Sequence, residues 1–273
     1  MNNELSKLKP ENLWKHFETI CSLPHPSKHE EALKQFILDF AKKNNLEAFV
    51  DEVGNVIIRK PATLGMENRK TTVLQAHIDM VPQKNSDVQH DFLKDPIIPY
   101  IDGEWVKAKG TTLGADNGIG VAAALSILES NNVKHGNLEV LFTIDEETGM
   151  TGAFGLKADS LKGEILLNLD SEDEGEFFIG CAGGINTTAV LEYKNESLDT
   201  NSYVAYNIKI SGLKGGHSGI DIILGRGNAN KLMNRLLWYC TRNFNIKITS
   251  IEGGNLRNAI PREAFATIIV PFS

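Results

Sequence analysis

Five side chains able to ligate a metal stand at the ends of short structural runs in this 273-residue chain: His77, Asp116, Glu146, Glu147 and Asp170. His77 follows the β-rich run Thr72-Val73-Leu74-Gln75-Ala76, Asp145-Glu146-Glu147 follows Leu138–Ile144, and Asp170 follows Ile165–Leu169. Asp116 directly precedes an Ala-rich helical pattern from Asn117 to Glu129. Open α/β sheets bind ligands beyond the carboxyl ends of their strands, so these five groups can converge from dispersed positions. Imidazole and carboxylate without thiolate suit zinc, cobalt or manganese. Four or five such groups, one of them able to bridge, exceed what a single tetrahedral ion takes, which points to a two-metal hydrolytic centre that polarises a carbonyl and makes hydroxide at neutral pH. Asp79, two residues after His77, is placed to accept the imidazole's other N–H and fix its tautomer. Glu146 and Glu147 are neighbours whose side chains must point different ways, so one can ligate while the other deprotonates water. Taken singly, each acid also reads as a solvated loop carboxylate or helix cap, and His77 as a structural histidine. The joint order His-x-Asp, Asp, Glu-Glu, Asp at strand ends is what selects a site.

These residues need a sheet beneath them. Ser27 followed by Glu30 has capping-box spacing, and Ala32, Leu33, Phe36, Ile37 and Phe40 then recur at helical period, predicting a surface helix over residues 28–44. Phe49 to Lys60 reads as a hairpin turning at Val53-Gly54-Asn55. Helical segments between the three apolar strands imply a parallel or mixed sheet, so residues 1–185 read as one α/β domain. From residue 186 to 273 the pattern becomes strand (Tyr203–Ile210), Gly-rich turn (Gly212–Gly219), helix (Asn228–Thr241) and strands at 244–251 and 264–270, a smaller α+β unit. No repeat or low-complexity tract interrupts it.

Composition narrows the function classes. Lys plus Arg number 28 against 35 Asp plus Glu, a net charge of −7 that disfavours a phosphate-binding surface and hence nucleic acid. No stretch approaches the ~18 apolar residues of a membrane span, and the first residues lack an apolar signal region, so a cytoplasmic, membrane-free protein is expected. Cys21, Cys181 and Cys240 are odd in number and far apart, which indicates neither a disulfide framework nor a thiolate metal site. They read as packing thiols.

The stretches QAHIDMVPQK (75–84), KGTTLGADNGIGVAAAL (109–125), LFTIDEETGMTGAFGL (141–156), LLNLDSEDEGEFFIGCAGG (166–184), GLKGGHSGIDIILGRGNANKL (212–232) and GGNLRNAIPREA (253–264) carry a resemblance over nearly the whole chain. The chain resembles the M20 family of di-zinc peptidases, and within it the bacterial aminoacyl-histidine (Xaa-His) dipeptidases. The resemblance implies a zinc-exopeptidase-like mixed sheet flanked by helices, with a smaller α+β lid domain through which the chain could form a homodimer. It implies two divalent ions, Zn2+ or alternatively Co2+ or Mn2+. His77 and Asp170 are implied to bind different ions, Asp116 to bridge them, and Glu147 to ligate one. Glu146 becomes the general base that shuttles a proton to the leaving amine of a short peptide, Asp79 orients His77, and a cis peptide is expected at Asp116-Asn117. His217 resembles a lid histidine that stabilises the oxyanion, with a turn role as the alternative. Asn258 and Arg262 could contact the substrate carboxylate or fold the lid.

The family takes one further metal-ligating histidine from a late segment. The remaining histidines His16, His25, His29, His90 and His135 lie in helix or loop contexts, and the chain stops at ATIIVPFS on a lid strand. The expectation is therefore an N-terminal portion of a longer dipeptidase, with a weaker second ion and a sheet edge left exposed. Two other readings share these residues: an M20-type amidohydrolase such as a deacylase, and a catalytically silent fragment.

Overall fold

The computed structural model describes residues 5–180, 183, 185 and 187–272. Two compact units divide the chain, Met1–Ala182 and Gly183–Ser273. The first opens with two amphipathic helices, α1 (Glu11–Cys21) and α2 (Glu31–Lys43), followed by the hairpin β1 (Glu47–Val50) and β2 (Val56–Lys60). Then come β3 (Thr72–His77), a second hairpin β4 (Pro99–Asp102) and β5 (Trp105–Ala108), helix α3 (Ala115–Glu129) and β6 (Leu138–Thr143). The short helices α4 (Glu146–Gly149) and α5 (Thr151–Gly155) lead to β7 (Ile165–Asn168).

The main sheet has the order β1-β2-β6-β3-β7. β1, β2 and β6 pair antiparallel, whereas β3 runs parallel to both β6 and β7. All six residues of β6 are buried, which explains why apolar side chains occupy both of its faces, with Glu139 the one charged residue: a strand covered on both faces needs no polar alternation. Its Val140 and Phe142 join Phe17, Ile20, Leu33, Ile37, Val121 and Leu125 in the helix-side core, while Leu141 packs with Ile57 and Val73 on the opposite face. Each large apolar side chain so buried contributes about 1.5–3 kcal/mol relative to exposure. On that opposite face buried Glu139 is neutralised by Arg59 Nε at 3.0 Å and accepts the N–H groups of Lys162 and Gly163 at 2.6 and 2.8 Å. β7 is an edge strand whose Ile165, Leu166 and Leu167 are 41–55% exposed.

The Ser27–Glu30 spacing is not a capping box. Helix α2 begins at Glu31, and its N-cap Glu30 makes no side-chain cap bond. Both side chains are committed elsewhere, as described below. The hairpin at residues 49–60 forms with Asp51 at its centre: one carboxylate oxygen accepts the N–H groups of Val53, Gly54 and Asn55 at 3.1, 2.9 and 2.8 Å. Asn55 then reaches across to the segment after β6, donating to Gly152 O at 2.9 Å and accepting from Ile144 N at 3.2 Å.

That crossing leaves no room at Gly152, where a Cβ would lie 2.2 Å from Asn55 Oδ1 and 2.7 and 2.8 Å from the Ile144 N and O atoms. Two of the three obstacles are backbone. Gly152→Ala is therefore expected to destabilise the first unit by about 1–3 kcal/mol, read as a lower urea midpoint at unchanged slope.

In the second unit β8 (Tyr203–Ile210), α6 (Ala229–Asn243), β9 (Lys247–Gly253) and β10 (Ala264–Pro271) form an antiparallel sheet of order β8-β10-β9 with α6 packed on it. Asn228 caps α6 by accepting Lys231 N at 3.1 Å. Ala229, Met233 and Leu237 meet Ala264, Ala266 and Ile268, the alternating inward residues of β10. Cys21 is a buried free thiol and Cys240 a partly buried one; Cys181 lies outside the described residues.

Candidate metal centre

Register brings the site together. His77, the last residue of β3, pairs with Thr143, the last of β6, and Gln75 pairs with Asn168, the last of β7. β3 and β6 thus end at one level and parallel β7 two residues short of it, with Asp145–Glu147 just beyond β6 and Asp170 two residues after β7. Asp116 arrives from the start of α3, where it and Asn117 have non-helical backbone angles and are joined by a cis peptide, as the resemblance implied.

His77 is buried, with Nδ1 2.9 Å from the backbone carbonyl of Asp79. A carbonyl only accepts, so Nδ1 carries hydrogen and Nε2 faces the carboxylates as the atom free to ligate. Nε2 lies 3.0 Å from Asp116 Oδ1 and 3.5 Å from Asp170 Oδ1. Two donor triads result, His77 with Asp116 and Asp170, and His77 with Glu146 and Glu147; within each, one ligand atom per residue lies within 4.8 Å of the others. The resemblance assigned His77 and Asp170 to different ions, whereas the geometry gathers both with Asp116 inside the reach of a single ion.

The expected contact of Asp79 with His77 is present, carboxylate Oδ1 lying 3.3 Å from Nδ1, and it is shared with the Asp79 backbone carbonyl at 2.9 Å. The carboxylate chiefly holds the turn after β6: Oδ1 accepts Glu146 N at 2.9 Å, and Oδ2 accepts Glu147 N at 3.2 Å and the Ser27 hydroxyl at 2.7 Å. Burial works against ionisation of Asp79, yet the bonds from His77, Glu146 N–H and Ser27 outweigh it and hold the carboxyl below the usual range. Asp145 enters that turn in the left-handed region at φ 50°, and the hydroxyls of Thr148 and Thr151 bond its carboxylate. Asn117 was not anticipated from sequence; its amide donates to Asp170 Oδ1 at 2.7 Å and fixes that carboxylate.

The electrostatics of the cluster call for added positive charge. Burial, followed by the charge of Asp116, pushes the Glu147 carboxyl up to about 8. Burial likewise raises Glu146, with the charges of Asp170, Asp79 and Asp116 adding to it and His77 opposing. Burial disfavours the charged form of His77, but hydrogen bonds to Asp116, Asp170 and Asp79 reverse that and push it well up. Crowded carboxylates around one imidazole, with no thiolate beside them among the described residues, form a donor set that fits zinc, cobalt or manganese.

His217 belongs to the second unit and is exposed. Its Nδ1 accepts the N–H groups of Gly219 and Ile220 at 3.0 and 3.3 Å, which in the neutral ring leaves the proton on Nε2. Its loop pairs with the segment holding Asn258: Ser218 N donates to Asn258 O at 2.9 Å and Ile260 N to Gly216 O at 2.7 Å. Arg262 packs so closely on Gly215 that a Cβ there would meet its side chain at 2.4 Å.

A model of peptidase family M20/M25/M40 matches residues 73–227, and one of the peptidase dimerisation domain matches residues 208–273. The cytosol non-specific dipeptidase of Escherichia coli (strain K12) is 58% identical over 268 residues, covering 98% of this chain and 55% of that protein. The crystal structure of aminoacylhistidine dipeptidase from Vibrio alginolyticus is similar at 55% identity and a TM-score of 0.66, over 99% of this chain and 55% of that one. Peptidase T of Clostridium novyi (strain NT) is 27% identical over 183 residues, covering 56% of this chain and 44% of that protein. The chain spans about half the length of the curated relatives it matches.

Proposed function

The chain belongs to peptidase family M20, and from that premise we propose that its residues carry metal-dependent hydrolysis of dipeptides, with Xaa-His as the substrate class. The observation that carries this reading is the pair of overlapping donor triads at the carboxyl ends of three parallel strands, sharing His77. Similarity to dipeptidases over almost the whole of this chain supports the substrate class.

Two divalent ions are assigned, with zinc the natural choice for this donor set. His77 Nε2, Asp116 and Asp170 would hold one; Asp116 would be shared with a second at Glu147, whose carboxyl is the more raised of the two neighbouring glutamates. When bound, such ions supply Lewis acidity toward a carbonyl and lower the pKa of water.

The protein's own groups divide the remaining work. Glu146, kept from ionising easily by burial and by its acidic neighbours, is suited to take a proton and return it to the leaving amine. Asp79 fixes the Glu146 and Glu147 backbones and, through its carbonyl, the His77 tautomer. Asn117 keeps the Asp170 carboxylate turned. His217, whose Nε2 carries the proton, is the donor we assign to the developing oxyanion. The dimerisation-domain match supports pairing of two copies through the second unit, and the relative named a cytosol dipeptidase supports a cytosolic setting. No helix among the described residues is long and apolar enough to cross a membrane.

Chelation tests the reading. Chain stripped with a chelator should hydrolyse no Xaa-His dipeptide and should regain turnover when zinc, cobalt or manganese is returned, with N-acyl amino acids turned over more slowly than dipeptides. Hydrolysis indifferent to chelation would remove the metal from the account, and preference for acyl amino acids would replace the dipeptidase by a deacylase.

A further inference from the structure

We infer that Ser27 and Glu30, in the segment between α1 and α2, are positioning residues that set the affinity and geometry of the metal centre by bracing the turn that carries Glu146 and Glu147. This rests on the metal-site reading above.

The segment runs alongside the continuation of β3. Met80 N donates to His25 O at 3.1 Å, Ser27 N donates to Met80 O at 3.4 Å, and Pro26 and Met80 form an isolated parallel bridge. So anchored, the segment delivers two oxygens to the site's outer wall. The Ser27 hydroxyl donates to Asp79 Oδ2 at 2.7 Å, the same oxygen that accepts Glu147 N. Glu30 Oε1 accepts Lys28 N at 2.8 Å and, 115 residues further along the chain, Asp145 N at 3.1 Å. The turn after β6 is therefore gripped at three successive N–H groups: Asp145 by Glu30, and Glu146 and Glu147 by Asp79, which Ser27 in turn holds.

The placement is costly unless it serves this purpose. Glu30 and Asp79 are 3% and 1% exposed, and burying a carboxylate is unfavourable without several donors directed at it. Glu30 caps no helix, so its burial answers to the turn rather than to α2. Partners bonded directly to metal ligands fix ligand direction, and losing one lowers metal affinity about 10- to 100-fold; Ser27 and Glu30 act one step further out, through Asp79 and the Asp145 N–H, so the low end of that range applies.

Cobalt is the probe, because its visible spectrum reports ligand geometry directly. Co2+ is titrated into the full chain as wild type, Ser27→Ala, Ser27→Thr, Glu30→Ala and Glu30→Gln, with thermal melts of each metal-free protein alongside. Ser27→Ala and Glu30→Ala should bind Co2+ about 10-fold more weakly, with a changed spectrum. Ser27→Thr restores the hydroxyl and Glu30→Gln keeps an oxygen able to accept both N–H groups, so both should recover wild-type affinity and spectrum. Should Glu30→Ala not fold, the half-buried Ser27 pair carries the test alone. Alanine variants with wild-type affinity and spectrum overturn the inference, as do conservative variants no better than alanine. A wild-type chain that binds no Co2+ removes the metal-site reading itself, and this inference with it.

Discussion

Asp116→Ala is expected to weaken zinc binding by more than roughly 100-fold, beyond the 10- to 100-fold typical of losing an outer partner, because a direct ligand is removed. The effect should exceed that of any other single ligand. Asp116 lies 3.0 Å from the only imidazole nitrogen in the cluster free to ligate, and its charge is the first among the neighbouring charges acting on Glu147. It therefore belongs to the surroundings of both assigned ions. Its side chain is 48% exposed but bonded to buried His77, so the metal-free variant should lose no more than about 1–3 kcal/mol, the cost of depriving a buried group of a partner. Calorimetric zinc titration together with urea unfolding in chelator separates the two effects. Equal zinc affinity in variant and wild type would show that Asp116 is only a charged residue at a helix start.

Glu146→Gln should act on the opposite quantity. Removing a positioned general base lowers the rate of proton-transfer chemistry by about 100- to 10,000-fold, and the amide fills the same volume, so kcat for dipeptide hydrolysis should fall by that range while metal content is unchanged. Glu147→Gln serves as the control, since a ligand at the second ion should cost metal as well as rate. The contrast is informative because the two residues are adjacent and their N–H groups are held by the same Asp79 carboxylate. Loss of metal in Glu146→Gln, or unchanged turnover, would exchange or cancel the roles assigned to the pair.

How much of this was legible in the sequence depends on which atoms did the work. The strands beneath His77 and Asp145–Glu147 were legible because strands buried on both faces are mostly apolar, interrupted inside only by Gln75 and Glu139, and the strand before Asp170 is as apolar though exposed, so the polar residues at their ends stand out. The hairpin at β4 and β5 was missed although Asp102-Gly103 marks its turn, with Gly103 at φ 63°. Helix α1 was missed too, although Leu13, Trp14, Phe17, Ile20 and Cys21 repeat at helical spacing. The Ser27–Glu30 pattern misled for a different reason: the spacing that closes a capping box locally was used for contacts 52 and 115 residues away. Asp79 shows the same limit from the other side. Its adjacency to His77 suggested one bond, but the carboxylate's main partners are backbone N–H groups, which no residue type announces.

The assignment of the ions is tested most directly by anomalous diffraction from crystals of the chain grown with zinc. A peak bounded by His77 Nε2 and the carboxylates of Asp116 and Asp170 is expected, with a second beside Glu147 sharing Asp116. Saturating zinc that leaves this cluster without an anomalous peak would contradict that assignment.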